Sequence, residues 1–323
     1  MKIVFMGTGD FAVPTLRAIH GSNHEVSLVV SQPDRPQGRG LTLRPTPVKA
    51  AAEALGLEVF QPEKLRLEPD RVIAERADVL VVVAYGQILR ENILECAPRG
   101  AINVHASLLP KYRGAAPIQW AIASGETRTG VTTMQLDRGM DTGPVLLQRE
   151  CVIEPDDTAE TLEPRLAVMG AGLLLETLSG LTAGTLSPKP QDESVATKAP
   201  LIRKSDGLVS FAQTATQIAN RLRGFHPWPG LQFTHAGRSI KILAASPIEN
   251  GRQATPGTVL EITREAVDVA CGANTTLRLL RVQPESRGAV SAKDFANGAK
   301  LVAGSRLGAP AAGDAARQTA PKD

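Results

Sequence analysis

The run DVLVVVAYG at residues 78–86 limits the choice of fold more than any other part of this sequence. Its central residues, Val79 to Val83, are all apolar, so a strand formed here must be covered on both faces. It belongs to a series of short apolar runs that alternate with helix-like amphipathic segments: KIVFM (2–6), EVSLVV (25–30), the end of LGLEVF (55–60) and AINVH (101–105). This alternation is typical of a mostly parallel sheet with helices on both sides. We therefore predict an α/β, Rossmann-like first domain.

The second half of the chain has a different pattern. After a hairpin-like pair of runs (130–137 and 143–153) and a long amphipathic segment (158–178), residues 185–204 are polar, proline-rich and without period. Five short alternating runs with turn signals then follow a helical pattern, which predicts a small antiparallel β-barrel of the OB-like type. The predicted division is a catalytic domain, a linker, a barrel domain and a disordered Ala/Gly/Pro-rich tail, at residues 1–184, 185–204, 205–307 and 308–323.

Charge is distributed unevenly along the 323 residues. The segment from Lys204 to Leu307 holds 13 Lys/Arg against 7 Asp/Glu, a net of +6, while the whole chain has a net charge of only +3. A basic second domain suggests a polyanionic partner, although charge alone favours a solvated basic surface.

The sequence also indicates a cellular compartment. The three cysteines, Cys96, Cys151 and Cys271, are widely spaced and form no CxxC motif, which argues against a disulfide framework or a zinc site. The N-terminal apolar run is too short for a signal peptide, and no window approaches the ~18 apolar residues of a membrane span. We expect a cytoplasmic protein without a membrane partner.

A long basic loop, SQPDRPQGRGLTLRPTPVK (31–49), interrupts the first domain. Loops of this length without secondary structure of their own are usually functional or disordered. The loop carries four cations suited to contacts with phosphates, Arg35, Arg39, Arg44 and Lys49. A solvated insertion without function is the competing interpretation.

Asn103 and His105 lie at the carboxyl end of the predicted strand AINVH. Side chains two residues apart project from the same face of a strand, and ligands bind open α/β sheets near the carboxyl ends of strands. An amide can donate hydrogen bonds to an oxyanion, and an imidazole can accept and return a proton near neutral pH. This pair would serve acyl transfer to an amine, although a lone histidine at a strand end is more often structural.

A glycine-flanked loop supplies a third candidate. MQLDRGMDTGPVL (134–146) contains Asp137 and Asp141 between two predicted strands. A carboxylate beside His105 would favour the charged imidazole and fix the orientation of the ring. We favour Asp141 for this role, because the glycines around it allow close approach of a ligand. Asp137 is the alternative, or a residue that caps the turn.

With these residues in view, the chain resembles the methionyl-tRNA formyltransferase family of 10-formyltetrahydrofolate-dependent enzymes. The resemblance covers nearly the whole sequence. The segments that carry it are INVHASLLPKYRGAAPIQWAI, TGVTTMQLDRGMDTGPVL, SQPDRPQGRG and FHPWPG. The first two are shared with other formyltransferases that use this folate, and the last two narrow the choice to the tRNA enzymes.

The resemblance implies a reaction and a set of roles. The formyl group of 10-formyltetrahydrofolate would pass to the α-amino group of methionyl initiator tRNA, with tetrahydrofolate released and without a metal. Asn103, His105 and Asp141 would be catalytic. The folate-binding segment would be Ser107, Leu108, Leu109 and Pro110, and the basic loop, above all Arg39, would enter the tRNA acceptor end. We expect the enzyme to be a monomer.

Two other functions remain open from the sequence. A formyltransferase acting on a small amine, such as a nucleotide-sugar or glycinamide ribonucleotide, would leave the basic second domain unused. An RNA-binding protein without catalytic activity would make the grouping of Asn103, His105 and Asp141 accidental.

Overall fold

A computed structural model of the protein describes residues 1–37, 42–248 and 252–308. The chain divides into two compact units. The first comprises Met1–Ile118, Thr127–Glu154 and Thr161–Leu201, and the second comprises Gln119–Glu126, Pro155–Glu160 and the chain from Ile202 onward. The domain boundaries given above differ from this division in detail and stay a prediction.

The first unit contains a mixed main sheet and a separate two-stranded sheet formed by β3 and β4. The strands of this unit are β1 (Lys2–Gly7), β2 (Glu25–Val30), β3 (Arg35–Gln37), β4 (Thr42–Arg44), β5 (Val59–Phe60), β6 (Val79–Val83), β7 (Ala101–His105), β8 (Arg128–Gln135) and β9 (Val145–Val152). In the described part of the chain, the main sheet has the order β5-β2-β1-β6-β7-β8-β9. Pairing is parallel from β5 to β7 and antiparallel from β7 to β9. The predicted α/β, mostly parallel fold is confirmed.

The centre of this sheet follows directly from the sequence. Every residue of β6 is buried, as the continuous VLVVV run requires. The strand order reverses between β1 and β6, so the chain leaves these two neighbouring strands in opposite directions. Ligands of open α/β sheets bind at the carboxyl ends of the strands near such a reversal, and β7 is the next strand along.

The helices of the first unit are α1 (Val13–His20), α2 (Pro47–Ala54), α3 (Asp70–Ile73), α4 (Glu91–Leu94) and most of α6 (Ala159–Ala183), while α5 (Pro117–Ala123) belongs to the second unit from Gln119 onward. The long helix α6 packs closely on β7 and β8. The close approach is seen at Gly170, where an added Cβ would lie only 2.8 Å from Val104 Cγ1. The Thr177 and Thr133 hydroxyls, 2.8 Å apart, add a buried hydrogen bond between α6 and β8.

The expectation that no segment approaches a membrane span needs a correction. Among the described residues, Ala159–Ala183 is long and apolar enough to cross a bilayer by length and composition. Its most apolar window is 44% buried inside the protein. The contacts at Gly170 and Thr177 explain the apolar character, since a core helix passes the same test.

The second unit is built on an antiparallel sheet. Its elements are α7 (Ala215–Gly224), β10 (Leu231–His235), β11 (Arg238–Ile248), β12 (Val259–Ile262), β13 (Val267–Ala270), β14 (Thr276–Pro284), β15 (Val290–Ser291) and α8 (Ala292–Gly298). Within the described ranges the order is β10-β11-β14-β13-β12, with β15 beside β14. Five of these strands coincide with the five predicted runs, whereas β15 and α8 were not predicted.

The FHPWPG segment contributes one buried and one exposed aromatic ring to this unit. Phe225 is fully buried, packs edge-on against Trp120 and lies under the Arg221 guanidinium. Trp228, by contrast, is 58% exposed. The first aromatic residue of the segment therefore serves packing, and the second stands at the surface of the unit.

The predicted linker is not a free tether. Residues 189–199 are hydrogen-bonded to the first unit through the backbone, including Thr197 N to Pro110 O (3.2 Å) and Ala199 N to Arg113 O (2.7 Å). Backbone hydrogen bonds can hold a polar, proline-rich segment in this way, and the fully buried Ala199 adds an apolar contact. The predicted tail lies outside the described residues from position 309 onward.

A half-buried carboxyl group in α6 gives a test of this packing. Burial, with repulsion from Asp10 as a smaller cause, raises the pKa of Glu163 above its ordinary value of about 4.5. Between the ordinary pKa of Glu163 in the unfolded state and its higher pKa in the folded state, the folded state binds more protons than the unfolded state. The free energy of unfolding therefore falls as the pH rises from the lower pKa to the higher one. Glu163→Gln should raise the melting temperature at pH 7, by roughly 2–4 °C for each 1 kcal/mol gained in the free energy of unfolding.

The gain should shrink towards zero as the pH falls below about 4.5, where the unfolded carboxyl group is also protonated. Glu53→Gln, at an exposed position of α2, is the control in the same thermal scans. A gain independent of pH would contradict this assignment.

Candidate active site

Asn103 and His105 lie on β7 and are both buried, with 9% and 6% of their surface exposed. The neighbouring strands fix them from either side: Asn103 is opposite Val82 of β6 and Met134 of β8, and His105 is opposite Thr132. Because they are two residues apart on one strand, both side chains reach the same third residue.

That third residue is Asp141. Its Oδ1 lies 3.5 Å from Asn103 Nδ2, and its Oδ2 lies 3.7 Å from His105 Nδ1. The backbone N–H of Gly114 donates to Oδ2 at 2.8 Å. The structure thus brings together the amide, imidazole and carboxylate singled out in the sequence. The two longer distances exceed those of tight hydrogen bonds, so these contacts are loose.

The loop must fold back across the sheet to make these contacts. Since β8 runs antiparallel to β7, its last residues lie beside the start of β7, where Leu136 N donates to Ala101 O (2.8 Å). Five residues later the chain has returned to Asn103 and His105, with Asp141 at a φ of +55°. Asp137 shapes the turn instead, by accepting hydrogen bonds from Gly139 N and Thr142 Oγ1.

The hydrogen bonds of His105 define which nitrogen faces Asp141. His105 Nε2 lies 2.9 Å from the carbonyl oxygen of Tyr112. A carbonyl oxygen can only accept, so Nε2 carries the hydrogen and Nδ1 faces the carboxylate. A proton taken up at Nδ1 would therefore point towards Asp141 Oδ2. This orientation suits a group that accepts a proton at Nδ1 and is stabilised by the carboxylate when charged.

The Ser107–Pro110 segment faces the protein more than it faces solvent. Ser107 and Leu109 are buried, at 0% and 4% exposure, and only Leu108 and Pro110 are half-buried. Thr132 Oγ1 donates to Ser107 O (2.6 Å) and accepts from Leu109 N (3.1 Å), while Gln148 Nε2 donates to Leu109 O (2.8 Å). Thr132 and Gln148 are therefore the hydrogen-bond partners of Ser107 O, Leu109 N and Leu109 O.

Two residues of this support were missed in the sequence. Thr132 and Gln148 lie on β8 and β9, and their side chains satisfy the backbone of the Ser107–Pro110 segment. Gln191 was also missed, because it lies in the segment interpreted as a linker; its amide donates to the backbone of the Asp141 loop. Neither Thr132, on a strand with several other polar residues, nor Gln191 had a distinguishing signal in the sequence.

Apolar side chains stand in solvent near these elements. Ile88, which follows β6, is 85% exposed, and Met140, adjacent to Asp141 in the chain, is 69% exposed. Exposed apolar groups beside buried polar ones are typical of ligand sites.

A separate surface groove of about 420 Å³ lies at the amino end of β7, lined by Arg99, Ala101 and neighbouring residues, and does not include Asn103, His105 or Asp141.

The predicted basic loop forms a two-stranded ribbon, which corrects the expectation that it lacks secondary structure. Strands β3 and β4 pair antiparallel, with Arg35 directly opposite Arg44, and both residues are exposed. Arg39 lies outside the described residues.

Lys49 is not a free cation of this loop. It lies in α2, where its Nζ is 2.6 Å from Asp34 Oδ2. A hydrogen bond from Gln61, followed by the one from Lys49, lowers the pKa of Asp34, and the bond to Asp34 raises the pKa of Lys49. Lys49 therefore holds the base of the ribbon, so its predicted direct contact with phosphate is not supported by this geometry.

Metal binding was not expected from the sequence. In the described residues, no group of three or more His, Cys, Asp or Glu side chains is arranged to hold a metal ion, and the three cysteines are free. The expectation of a metal-free reaction stays a prediction.

Comparison with known proteins places this arrangement in a family. The formyl transferase family model matches residues 1–178, and the model of the formyl transferase C-terminal domain matches residues 201–300. The chain belongs to the formyl transferase family. The site described above lies within the first matched region, and the antiparallel sheet lies within the second.

Relatives of known name support the same placement. The chain is 53% identical to the methionyl-tRNA formyltransferase of Solibacter usitatus, over 95% of this chain and 99% of that protein. It is 50% identical to the methionyl-tRNA formyltransferase of Anaeromyxobacter sp. strain K, over 92% of this chain and 97% of that protein. The fold also matches an N-formyltransferase from Helicobacter canadensis in complex with folinic acid and dTDP-3-aminofucose, with 17% identity, a TM-score of 0.65, and coverage of 87% and 99%.

The support of the Ser107–Pro110 segment can be tested by an isosteric substitution. Thr132→Val removes the buried hydroxyl and leaves Leu109 N and Ser107 O without that partner. Each unsatisfied buried group costs about 1–3 kcal/mol, so the free energy of unfolding in urea should fall by at least that amount.

Thr129→Val is the matched control on the same strand. Thr129 is 3% exposed, and among the described residues its Oγ1 has no hydrogen-bond partner. Its replacement should be neutral or stabilising. Equal destabilisation by the two variants would show that the Thr132 bonds do not hold the segment.

Proposed function

We propose that this protein transfers the formyl group of 10-formyltetrahydrofolate to the α-amino group of methionyl initiator tRNA. The observation that carries the proposal is the convergence of Asn103, His105 and Asp141 in a chain about half identical to methionyl-tRNA formyltransferases over nearly its full length. Formyl transfer belongs to the family, and the tRNA substrate is proposed from these relatives. The product, N-formylmethionyl-tRNA, would serve translation initiation.

The proposed chemistry follows from the three side chains. The substrate amine attacks the formyl carbon, and negative charge develops on the formyl oxygen. Asn103 Nδ2 can donate to that oxygen, because its 3.5 Å contact with Asp141 is loose enough to be exchanged for a shorter bond. His105 Nδ1 takes up the proton lost by the amine, and Asp141 stabilises the resulting imidazolium from 3.7 Å. Breakdown of the tetrahedral species then returns a proton to the departing folate nitrogen.

The folate would lie against the exposed apolar side chains. Ile88 and Met140, with the half-buried Leu108 and Pro110, offer apolar surface for a flat ring system. Ser107 and Leu109 act from behind, since both are buried and their backbone groups are occupied by Thr132 and Gln148. The proposal thus keeps the 107–110 segment at the folate site and divides it into two contacting and two supporting residues.

The tRNA would be held by positive charge. Arg35 and Arg44 lie directly opposite each other on an exposed ribbon. Like charges in this position repel, and a polyanion relieves the repulsion. Arg39 lies between β3 and β4 in the sequence and keeps its proposed place at the acceptor end, and the basic second domain would contact the RNA backbone.

We also propose that the enzyme works in the cytoplasm as a monomer, without a membrane partner or a metal. A formyltransferase for small amines would account for the first unit, but it would leave the ribbon and the basic second domain without a use.

Substrate specificity is tested by incubating the purified protein with 10-formyltetrahydrofolate and methionyl initiator tRNA, elongator methionyl-tRNA or small amines. We expect formylation of the initiator tRNA. Asn103→Ala and His105→Ala should each lower the turnover number by about 100-fold or more, because they remove oxyanion stabilisation and proton transfer. His20→Ala, an exposed histidine of α1, is the control. Formylation of a small amine but of neither tRNA would refute the proposed substrate.

The ribbon is tested by the salt dependence of binding. Replacing both Arg35 and Arg44 by alanine should weaken tRNA binding and flatten the slope of log Kobs against log salt by about 1–2, or roughly 0.7–0.9 for each lost phosphate contact. The KM for the folate should not change. Arg17→Ala, an exposed arginine of α1, should leave the slope unaltered. An unchanged slope in the double variant would exclude the ribbon from the RNA contact.

A further inference from the structure

One side chain of the predicted linker, residues 185–204, contacts the loop that carries Asp141. Gln191 Nε2 donates to Asp141 O at 2.8 Å and to Gly143 O at 2.7 Å. These two carbonyl groups lie on either side of Thr142, so a single amide nitrogen holds the stretch of loop that carries Asp141. The formyl-transfer step proposed for Asn103, His105 and Asp141 does not itself use this contact.

The orientation of the Gln191 amide is itself fixed by a buried arginine. Arg113 is 9% exposed, and its Nε and Nη2 donate to Gln191 Oε1 at 3.0 and 2.8 Å. A guanidinium can only donate, so the amide oxygen must face Arg113 and the NH2 group must face the loop. On its other side, Arg113 pairs with Glu193, whose side chain is 70% exposed.

The residues on either side of Arg113 contact the catalytic side chains directly. Tyr112 O accepts from His105 Nε2 (2.9 Å), and Gly114 N donates to Asp141 Oδ2 (2.8 Å). Gly114 has a φ of +123°, and a Cβ there would lie 2.6 Å from Ala199 O. The backbone of Tyr112 and Gly114 therefore contacts both members of the His105–Asp141 pair, and the Arg113 side chain acts on the Asp141 loop through Gln191.

This support matters because the backbone of Asp141 does not favour its own conformation. Its φ of +55° lies in the left-handed region, which residues other than glycine adopt at an energetic cost, smaller for Asp and Asn than for most. The bonds from Gln191 and Gly114 act on its carbonyl and its carboxylate. Without the Gln191 amide, the loop can relax, and the carboxylate moves away from Asn103 and His105.

We propose that Gln191, oriented by Arg113, is a positioning residue that holds Asp141 against Asn103 and His105 for formyl transfer. This inference rests on the proposed function, since its kinetic readout is the formylation of methionyl-tRNA. It gives a role in the active site to a residue of the 185–204 segment, which the sequence predicted to be a linker.

The test compares Gln191→Ala with Glu193→Gln. Both substitutions change a partner of Arg113, but only Gln191 contacts the Asp141 loop. In Gln191→Ala the turnover number should fall by roughly 10–100-fold, because a misplacement of about 1 Å costs up to ~100-fold, while the KM values for folate and tRNA stay within about threefold. Glu193→Gln should retain wild-type kinetics.

A spectroscopic readout separates positioning from a general loss of structure. The imidazole ¹⁵N signals of His105, assigned by their absence in His105→Ala, should shift in Gln191→Ala and stay unchanged in Glu193→Gln. If Gln191→Ala does not fold, Arg113→Lys carries the same test, because lysine keeps the charge but loses the paired donors to Gln191 Oε1.

The outcomes distinguish the two proposals. A wild-type protein that does not formylate methionyl-tRNA would refute the proposed function. If the wild type is active, a folded Gln191→Ala variant with an unchanged turnover number and unchanged His105 signals would overturn the positioning role alone. A rise in KM without a fall in turnover would also overturn it.

Discussion

The carboxylate of Asp141 is the group on which the arrangement of this site depends. It faces the Asn103 amide and the His105 imidazole from 3.5 and 3.7 Å, and it accepts the Gly114 N–H at 2.8 Å. Asn103 and His105 are fixed by a central strand, whereas Asp141 reaches them from a loop in a left-handed backbone conformation. The rigid part of the site is therefore encoded by β7, and its adjustable part must be held by neighbouring segments.

The direction of β8 explains why this support is necessary. In the parallel part of the sheet, loops that follow the strands emerge at the edge where ligands bind. Because β8 is antiparallel to β7, the loop after it begins at the opposite end, beside Ala101, and returns over the strand to Asn103 and His105. The reversal brings a carboxylate to the site at the cost of a strained backbone, and the hydrogen bonds of Gly114 and Gln191 offset that strain.

Much of this could be predicted from apolar periodicity. The VLVVV run indicated a central buried strand, and the two-residue spacing of Asn103 and His105 placed them on one face. The glycines around Asp141 favoured it over Asp137, and the Asp141 carboxylate is the one that lies beside His105, while its catalytic role stays a prediction. Backbone pairings were not predicted: Lys198, in the 185–204 segment, pairs with Arg113, and the basic loop forms a ribbon without alternation. Such contacts leave no periodic signal in side chains.

The most direct test of the account is the rate of a single formyl-transfer turnover in Asp141→Asn. Asparagine tolerates a left-handed backbone and can still accept the Gly114 N–H, so the fold should be retained while the negative charge beside His105 is lost. We predict a rate at least about 100-fold below wild type, with folate binding unchanged. A rate equal to that of the wild type would contradict the central role given to this carboxylate.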